Sequence, residues 1–483
     1  MNGIKITIFF NELRNQGGAI WLEYNGMINS SIPKNLQNEQ TKQFIQCHRN
    51  LIAEILSLNS IRSREDFVFA IIIKDPTVLE YPLSFAQERL WFIEQFEKGT
   101  NAYHVPELFE LSEDCDMEGI RYAIQEVVKR HEILRTTIGQ SLDGSRNVLK
   151  IHSDLLLIEE VNLIGVANYQ KIIDSDIRRP FELTKEYPIR VKFYRVLKKL
   201  DEIVEKVLLL INIHHIATDG WSAGIFGLEM NLGYQNYLRG NVDLYLPPLK
   251  IQYKDYAYWQ RNYLLSESDK QLAYWKQKLD GFELLQFPTD YTRPSKMDYK
   301  GARQSFSIGK EVSQKLRRIA QECGTTMHSV LLTGLKVLLS KYSGQMDVVV
   351  GSPIANRHYG QTHDLIGFFV NMQAHRTMLH ANQSFRDLIV QIHNDQVEGQ
   401  LNQDLPFEKL VDELGLERDV SRHPVFQVVF STQSFSLNIT NKEIETYLKP
   451  YNLSRTSEIS KFDLGIWIDD SNDTLECLIT YST

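Results

Sequence analysis

The chain has 483 residues, 43 % of them hydrophobic, too many for one ordinary core, so two or three compact units of a soluble globular protein are expected. Its 53 lysines and arginines are mixed with 61 aspartates and glutamates for a net charge of −8, with no basic block, which gives a nucleic-acid partner no support. The four cysteines, Cys47, Cys115, Cys323 and Cys477, are scattered and sit in no metal-ligand spacing, which argues against zinc and against a disulfide framework.

Residues Met1 to Phe10 lack the basic stretch, apolar core and cleavage site of a signal peptide. The apolar run Phe67 to Ile73 is too short to cross a bilayer. No membrane association and a reduced, cytoplasmic setting are the default expectation.

The first elements in chain order form a small unit. Ile6 to Gln16 predicts a short helix stopped by Gly17-Gly18, and Ala19–Tyr24 and Met27–Ile32 predict two strands. Asn25-Gly26 between them is a strong hairpin signal, since both residues tolerate the positive φ of a type I′ turn. Asn38 to Leu56 predicts one amphipathic helix, with Phe44, Leu51 and Ile55 near one face and Ile45, Ile52 and Leu56 beside it. The order helix, strand, strand, helix sets residues 1–58 apart, and 59–80 is expected to be a linker.

From Tyr81 onward helices and strands alternate in two successive halves. Met117 to Lys129 is expected to be helical, with Ile120, Ile124 and Val127 or Val128 inward. Lys206 to Ile213 is nearly all apolar, as a strand covered on both faces should be. Trp221 to Leu238 reads as a helix with Ile225, Leu228 and Leu232 on one stripe and Gly240 just beyond its end. His328 to Tyr342 reads as a helix, and Asp347 to Gly351 as a strand after the turn Ser343-Gly344.

The most informative stretch runs from Asn212 to Ser222: a buried strand leads into His214-His215, then Asp219-Gly220, then a helix. Loops at strand ends are where an α/β scaffold presents its chemistry. Asp219 or Ser222 can cap the helix, and Gly220 can take a turn conformation closed to other residues. Histidine can accept or hold a proton near neutrality, and a carboxylate four residues beyond His215 can fix the loop or the imidazole tautomer. The chain has no G-x-S-x-G nucleophile elbow and no glycine-rich phosphate loop. This pattern suits direct transfer between two bound substrates.

His214-His215-x-x-x-Asp219-Gly220, followed by Trp221-Ser222, resembles the signature of nonribosomal peptide synthetase condensation domains. Six further segments resemble that family in its own order: Leu83–Phe92 (LSFAQERLWF), Arg130–Thr136 (RHEILRT), Tyr253–Trp259 (YKDYAYW), Ile366–Arg376 (IGFFVNMQAHR), Asn402–Leu410 (NQDLPFEKL) and Arg418–Phe430 (RDVSRHPVFQVVF). The resemblance covers Tyr81 to the end of the chain. It implies an α/β fold of two chloramphenicol-acetyltransferase-like lobes in a V-shaped pseudodimer around a central tunnel. The lobes are expected at 81–262 and 263–483, with a boundary near Asn262, after a helix begun by Tyr258 and Trp259. A short C-terminal piece of the family pattern is expected to be missing.

The resemblance also implies amide-bond formation between an upstream donor thioester and the amine of a downstream acceptor, both carried on the phosphopantetheine arms of carrier domains. It implies no directly bound cofactor or metal, and an adenylation domain following in the full chain. His215 is the expected catalytic residue, as general base or as a hydrogen-bond partner of the amine. His214 and Asp219 are expected to hold the loop, Gly220 to let backbone N–H groups approach an oxyanion, Arg357 to pair with Asp219, and Trp221 and Ser222 to support the site. The residues after Asp219-Gly220, with RHEILRT and LSFAQERLW, resemble domains accepting an L-configured donor. Heterocyclisation domains carry aspartate at the place of His214, and epimerisation domains differ after Asp-Gly. Two rivals are a stand-alone coenzyme A-dependent acyltransferase of the same superfamily and a non-catalytic recruitment module of the same fold.

The N-terminal unit is similar to docking domains of the type known from tubulysin assembly lines. That resemblance implies that Ala19, Ile20, Trp21, Leu22, Glu23, Tyr24, Met27 and Ile28 receive the C-terminal docking tail of an upstream synthetase subunit by strand addition.

Overall fold

The structure is a computed structural model that describes residues 2–96, 101–166, 168–197, 204–241, 246–416, 419, 421–433, 444–451 and 459–483. Arg418 and Val420 of the last family-like segment lie outside the described residues.

The first unit is held by its own core of Ile6, Phe10, Leu13, Ala19, Ile20, Ile52, Leu56, Ile61 and Phe67. Its first helix spans Asn2–Asn15 and its hairpin pairs Ala19–Leu22 with Ile28–Ser31. The turn is not type I′: only Gly26 has a positive φ, at 83°, and Glu23 N–H bonds to Met27 O at 2.9 Å across a three-residue loop. The Asn25 side chain accepts from Met27 N–H at 2.8 Å, which stabilises the loop without left-handed backbone at Asn25. The single helix expected over 38–56 is two, Glu39–Cys47 and Arg49–Leu58, broken at His48, whose φ of −106° and ψ of 14° leave the helical region. The segment expected to link this unit to the rest contains a helix, Arg64–Phe69, and lends Ile61, Phe67 and Ile73 to the unit's core.

Beyond it lie two large sheets. A five-stranded sheet orders its strands as 448–450, 104–111, 204–214, 189–197 and 158–164. A six-stranded sheet, from 301–308, 475–482, 464–469, 428–433, 347–354 and 371–378, is built wholly from the second half. The first of these sheets borrows Leu448–Pro450 from late in the chain, paired antiparallel with Phe109 to Leu111. Helices Met117–Arg130 and Gly220–Leu238 cover the first sheet, contributing Ile120, Ile124, Val127, Phe226, Met230 and Tyr234 to one core.

The apolar stripe expected on the second of these helices is wrong in phase. Leu228 and Leu232 are 52 % and 36 % exposed, and Phe226, Met230 and Tyr234 turn inward. The aromatic residues on that face bury more surface than the leucines. The helix expected to begin at Tyr258 starts at Tyr253 and runs unbroken to Leu279, so Asn262 lies inside it. Gln252 and Asp255 cap its start reciprocally, which moves the start ahead of the aromatic pair. Among the described residues no helix is long and apolar enough to cross a membrane, and no group of metal-ligating side chains gathers.

Candidate active site

The long strand Val204–His214 delivers both histidines, and its register fixes them. His214 lies opposite His104, its N–H bonds to Pro188 O (2.8 Å), and His215 N–H bonds to Tyr103 O (2.8 Å). The chain then makes one turn of 3-10 helix, His215–Ala217, before Asp219 caps the helix Gly220–Leu238 by accepting Ser222 N–H at 2.8 Å.

The two imidazoles have opposite tautomers. His214 is fully buried; its Nδ1 accepts from Ile216 N–H (3.1 Å), so Nε2 carries the proton and donates to Glu94 Oε1 at 3.0 Å. His215 donates Nδ1–H to the Thr218 carbonyl at 2.7 Å, which leaves the Nε2 lone pair unspent. Its ring is only partly buried and stands edge-on to Phe368, with centroids 5.0 Å apart.

Burial, with Lys461 and Arg190 adding to it, pushes His214 down to about 3. Burial, then Lys461, pushes His215 down to about 4, against the opposing pull of the Thr218 carbonyl and Asp219. Both rings are therefore neutral at pH 7. Burial also pushes the Glu94 carboxyl up to about 7.

Asp219 does not reach His215 as a triad carboxylate would. Its oxygens are spent on Ser222 N–H, on Phe369 N–H (3.0 Å) and on Arg357 Nη2, at 3.1 and 3.3 Å. Arg357 also donates to Ser222 Oγ (2.7 Å), Thr362 O and Leu365 O, and its guanidinium lies 4.0 Å from the Phe369 ring centroid. Ser222 Oγ donates to Gly367 O at 2.9 Å and accepts Gly367 N–H at 3.0 Å. A Cβ on Gly367 would stand 2.0 Å from Tyr253 Cδ2, so only glycine lets the two halves close here. Trp221 Nε1–H donates to His363 O at 2.9 Å. Asp219, Ser222 and Trp221 from the first half are thus clasped to Arg357, His363 and Gly367–Phe369 from the second. Gly220 is the first helical residue and is not among the positive-φ glycines, contrary to the expected special turn: Asp219 supplies the extended cap, so Gly220 need only be helical.

Four of the six other family-like segments reach this loop or the residues clasped to it. Gln87 Nε2–H donates to Ile216 O at 3.1 Å, and Ser84 Oγ lies 2.9 Å from the Tyr253 hydroxyl, which donates to Phe368 O at 2.6 Å. His131 Nδ1 accepts Ile366 N–H (3.2 Å), with Nε2 2.8 Å from Glu229, which also pairs with Arg130.

Glu94, Phe368 and Lys461 were not picked out in the sequence as parts of the site. Glu94 lies two residues past a quoted segment. Lys461 comes from the other half, with its ammonium 4.4 Å from the Tyr103 ring centroid. The expected docking residues lie apart from all of this. Ala19, Ile20 and Leu22 point into the first unit's core; Tyr24 and Met27 are exposed, and Trp21, Glu23 and Ile28 are partly so.

Residues 79–483 match the sequence model of the condensation domain. The chain belongs to the condensation-domain family. The condensation domain is 38 % identical over 411 residues to one of the linear gramicidin synthase proteins of Brevibacillus parabrevis, covering 83 % of this chain and 8 % of that protein. It is 34 % identical over 405 residues to gramicidin S synthase 2 of Brevibacillus brevis, covering 83 % and 9 %. The chain thus spans a small part of these relatives' length. Its fold is similar to the X-domain from teicoplanin biosynthesis (TM-score 0.73, 22 % identity, 84 % of this chain and 91 % of that one). It is also similar to a four-domain nonribosomal peptide synthetase bound to AMP and glycine (TM-score 0.70, 19 % identity, 84 % and 31 %). Condensation domains of such synthetases catalyse amide-bond formation.

Proposed function

We propose that this condensation domain joins two carrier-bound substrates. The α-amine of an acceptor aminoacyl thioester attacks the carbonyl of a donor thioester. A C–N bond forms, the C–S bond breaks, and the donor arm leaves as its thiol with the proton the amine gives up. The lengthened chain stays on the acceptor arm. Both substrates ride on phosphopantetheine, and the thioester is already activated, so neither ATP nor metal enters this step.

The observation that carries the reading is the His215 ring, with Nδ1–H committed to Thr218 O and Nε2 uncommitted. Nε2 accepts a hydrogen bond from the acceptor amine and aims its lone pair. A ring that donates to a neutral carbonyl and is held neutral by burial suits this better than full proton uptake. Tethering both reactants supplies the larger part of the acceleration through orientation. His214 and Asp219 hold the loop, with Arg357, Trp221 and Ser222 in support. Gly220 carries one of the N–H groups that a helix start leaves unpaired, and we assign it to the oxyanion. Intact turnover in a folded Gly220→Ala variant removes that role.

The finer reading follows the same residues. Trp221-Ser222 after Asp219-Gly220 supports an L-configured donor. The division of the two large sheets largely by sequence half supports two acetyltransferase-like lobes forming a V around a tunnel, with carriers docking at its mouths and an adenylation domain alongside. Residues 1–58 act as a docking unit: the outer strand Ile28–Ser31 adds a strand from the tail of an upstream synthetase protein, guided by Trp21, Glu23, Tyr24 and Met27. Four free thiols suit a cytoplasmic setting.

The test is a condensation assay with a loaded donor carrier and a loaded acceptor carrier, read by intact-protein mass, for this chain and for His215→Ala. Carrier-dependent amide product that collapses in the variant is the expected result. Turnover of free coenzyme A thioesters with no product from any carrier pair overturns it in favour of a stand-alone acyltransferase.

A further inference from the structure

Lys461 stands between Ile459, which bridges to Lys300, and the strand Leu464–Asp469. Its backbone is pinned: Ser460 N–H donates to Tyr299 O at 2.9 Å, and Ser460 Oγ–H to Phe462 O at 2.7 Å. From there the side chain crosses to the first half and sets its ammonium over the Tyr103 ring. Tyr103 is the residue across the strand from His215, because its neighbour His104 pairs with His214 and its own carbonyl accepts His215 N–H. That bond sets the residue under the ammonium against His215, and the Lys461 charge acts on both histidines.

The charges around the histidine pair can be accounted for element by element. The loop itself holds His214 and Asp219, and the adjacent strand holds His104. The helix Phe85–Phe96 brings Arg89 and Glu94, the strand Ile189–Leu197 brings Arg190, and the second half brings Arg357 and Lys461. Arg190 pairs with Glu186 (2.6 Å), Arg89 with Glu408 (2.8 Å), Arg357 with Asp219 (3.1 Å) and Glu94 with His214 (3.0 Å). Among the described residues Lys461 has no carboxylate partner and no hydrogen-bond acceptor; the Tyr103 face is what it rests on.

We propose that Lys461 is a positioning residue supplying the fixed positive potential of the reaction site, which holds both the His215 ring and the attacking acceptor amine in their uncharged forms. This rests on the condensation reading above. An acceptor arriving as an ammonium is no nucleophile. A like charge close by drives it to shed its proton to solvent before attack, and the same charge opposes an imidazolium at His215. Burial pushes Lys461 down to about 8, so it is still an ammonium at neutral pH, where the acceptor amine must be free. One unit charge several ångströms away at an effective dielectric of ~20 moves a titration by roughly one pH unit.

Two readouts on Lys461→Met and Lys461→Arg test this. In histidine-labelled full chain followed by NMR, with His215 assigned from the His215→Ala spectrum, the His215 midpoint rises by roughly one pH unit in the Met variant and returns in the Arg variant. In the two-carrier assay the acid limb of kcat/KM moves to higher pH by a similar amount in Met and is restored by Arg. A merely structural role lowers the plateau of Lys461→Met and moves neither midpoint; that result, in a folded variant, overturns the proposal. If the parent chain makes no amide with any carrier pair, the condensation reading falls, and the NMR midpoint still decides the role of Lys461.

Discussion

Each half of the condensation domain buries histidine beside lysine, and the two clusters do opposite things. In the first half His214 and His215 feel the charge of Lys461, which reaches across from the second half. In the second, His328 and His375 pack between the helix Met327–Ser343 and the strands Asn371–Met378 and Val428–Gln433, beside Lys336. Burial pushes Lys336 down to about 7 and His328 to about 4, and drives His375 well below its ordinary value. By titration alone the second cluster looks as much like a site as the first. Its lysine, however, is spent inward, unlike Lys461. The Lys336 ammonium donates to His375 O at 2.7 Å and Thr377 Oγ1 at 2.6 Å, and His328 Nδ1 lies 2.8 Å from Thr432 Oγ1. His215 and His328 are alike in this, each a partly buried ring bonded through Nδ1, so what sets His215 apart is its place on the loop clasped between the two halves, and not the size of a pKa shift.

The largest expected effect sharpens that contrast. His215→Ala lowers the condensation rate by about 10²–10⁴-fold with little change in denaturant midpoint, and His328→Ala does the reverse, losing stability with its rate near the parent's. Equal rate losses in the two variants would break the comparison. Next, Arg357→Ala strips the partner from the buried Asp219 and costs about 3–5 kcal/mol by urea unfolding.

Lys336→Met acts through pH. Between about 7 and 10.5 the unfolded chain holds a proton that folded Lys336 lacks, so the parent's stability rises with pH across that window. In the variant this rise is lost, as unfolding curves across that window will show. On the acid side, His328 is held at about 4 against 6.5 when unfolded, so its share of stability is complete above 6.5 and lost as pH falls towards 4. His328→Asn flattens that decline. The smallest effect is Glu94→Gln: the amide oxygen can still accept His214 Nε2–H, so the rate stays within about threefold.

The site was legible where it is local. The apolar strand, the tandem histidines and the Asp219 cap are contiguous and obey strand and capping rules, so their geometry follows from composition. Arg357 was reachable through resemblance. Glu94 and Lys461 meet the histidines only through tertiary folding, from 120 residues upstream of His214 in the case of Glu94, and no periodicity marks such a partner. The misreadings share one cause. At Leu228 and Leu232, at His48 and at Asn25, a plausible local pattern yielded to the fold: Phe226, Met230 and Tyr234 took the helix face, the helix was interrupted at His48, and an Asn25 side-chain bond set the turn.

The strand Leu448–Pro450 makes the last addition to the sheet that carries His214 and His215. While the ribosome is still translating the second half, the edge of His104–Leu111 has no mate there. At roughly 5–20 residues per second that interval lasts tens of seconds, long enough for an open β edge to recruit a stray chain. A nascent condensation domain is therefore most at risk of aggregating midway through synthesis, and its catalytic sheet matures as a late event.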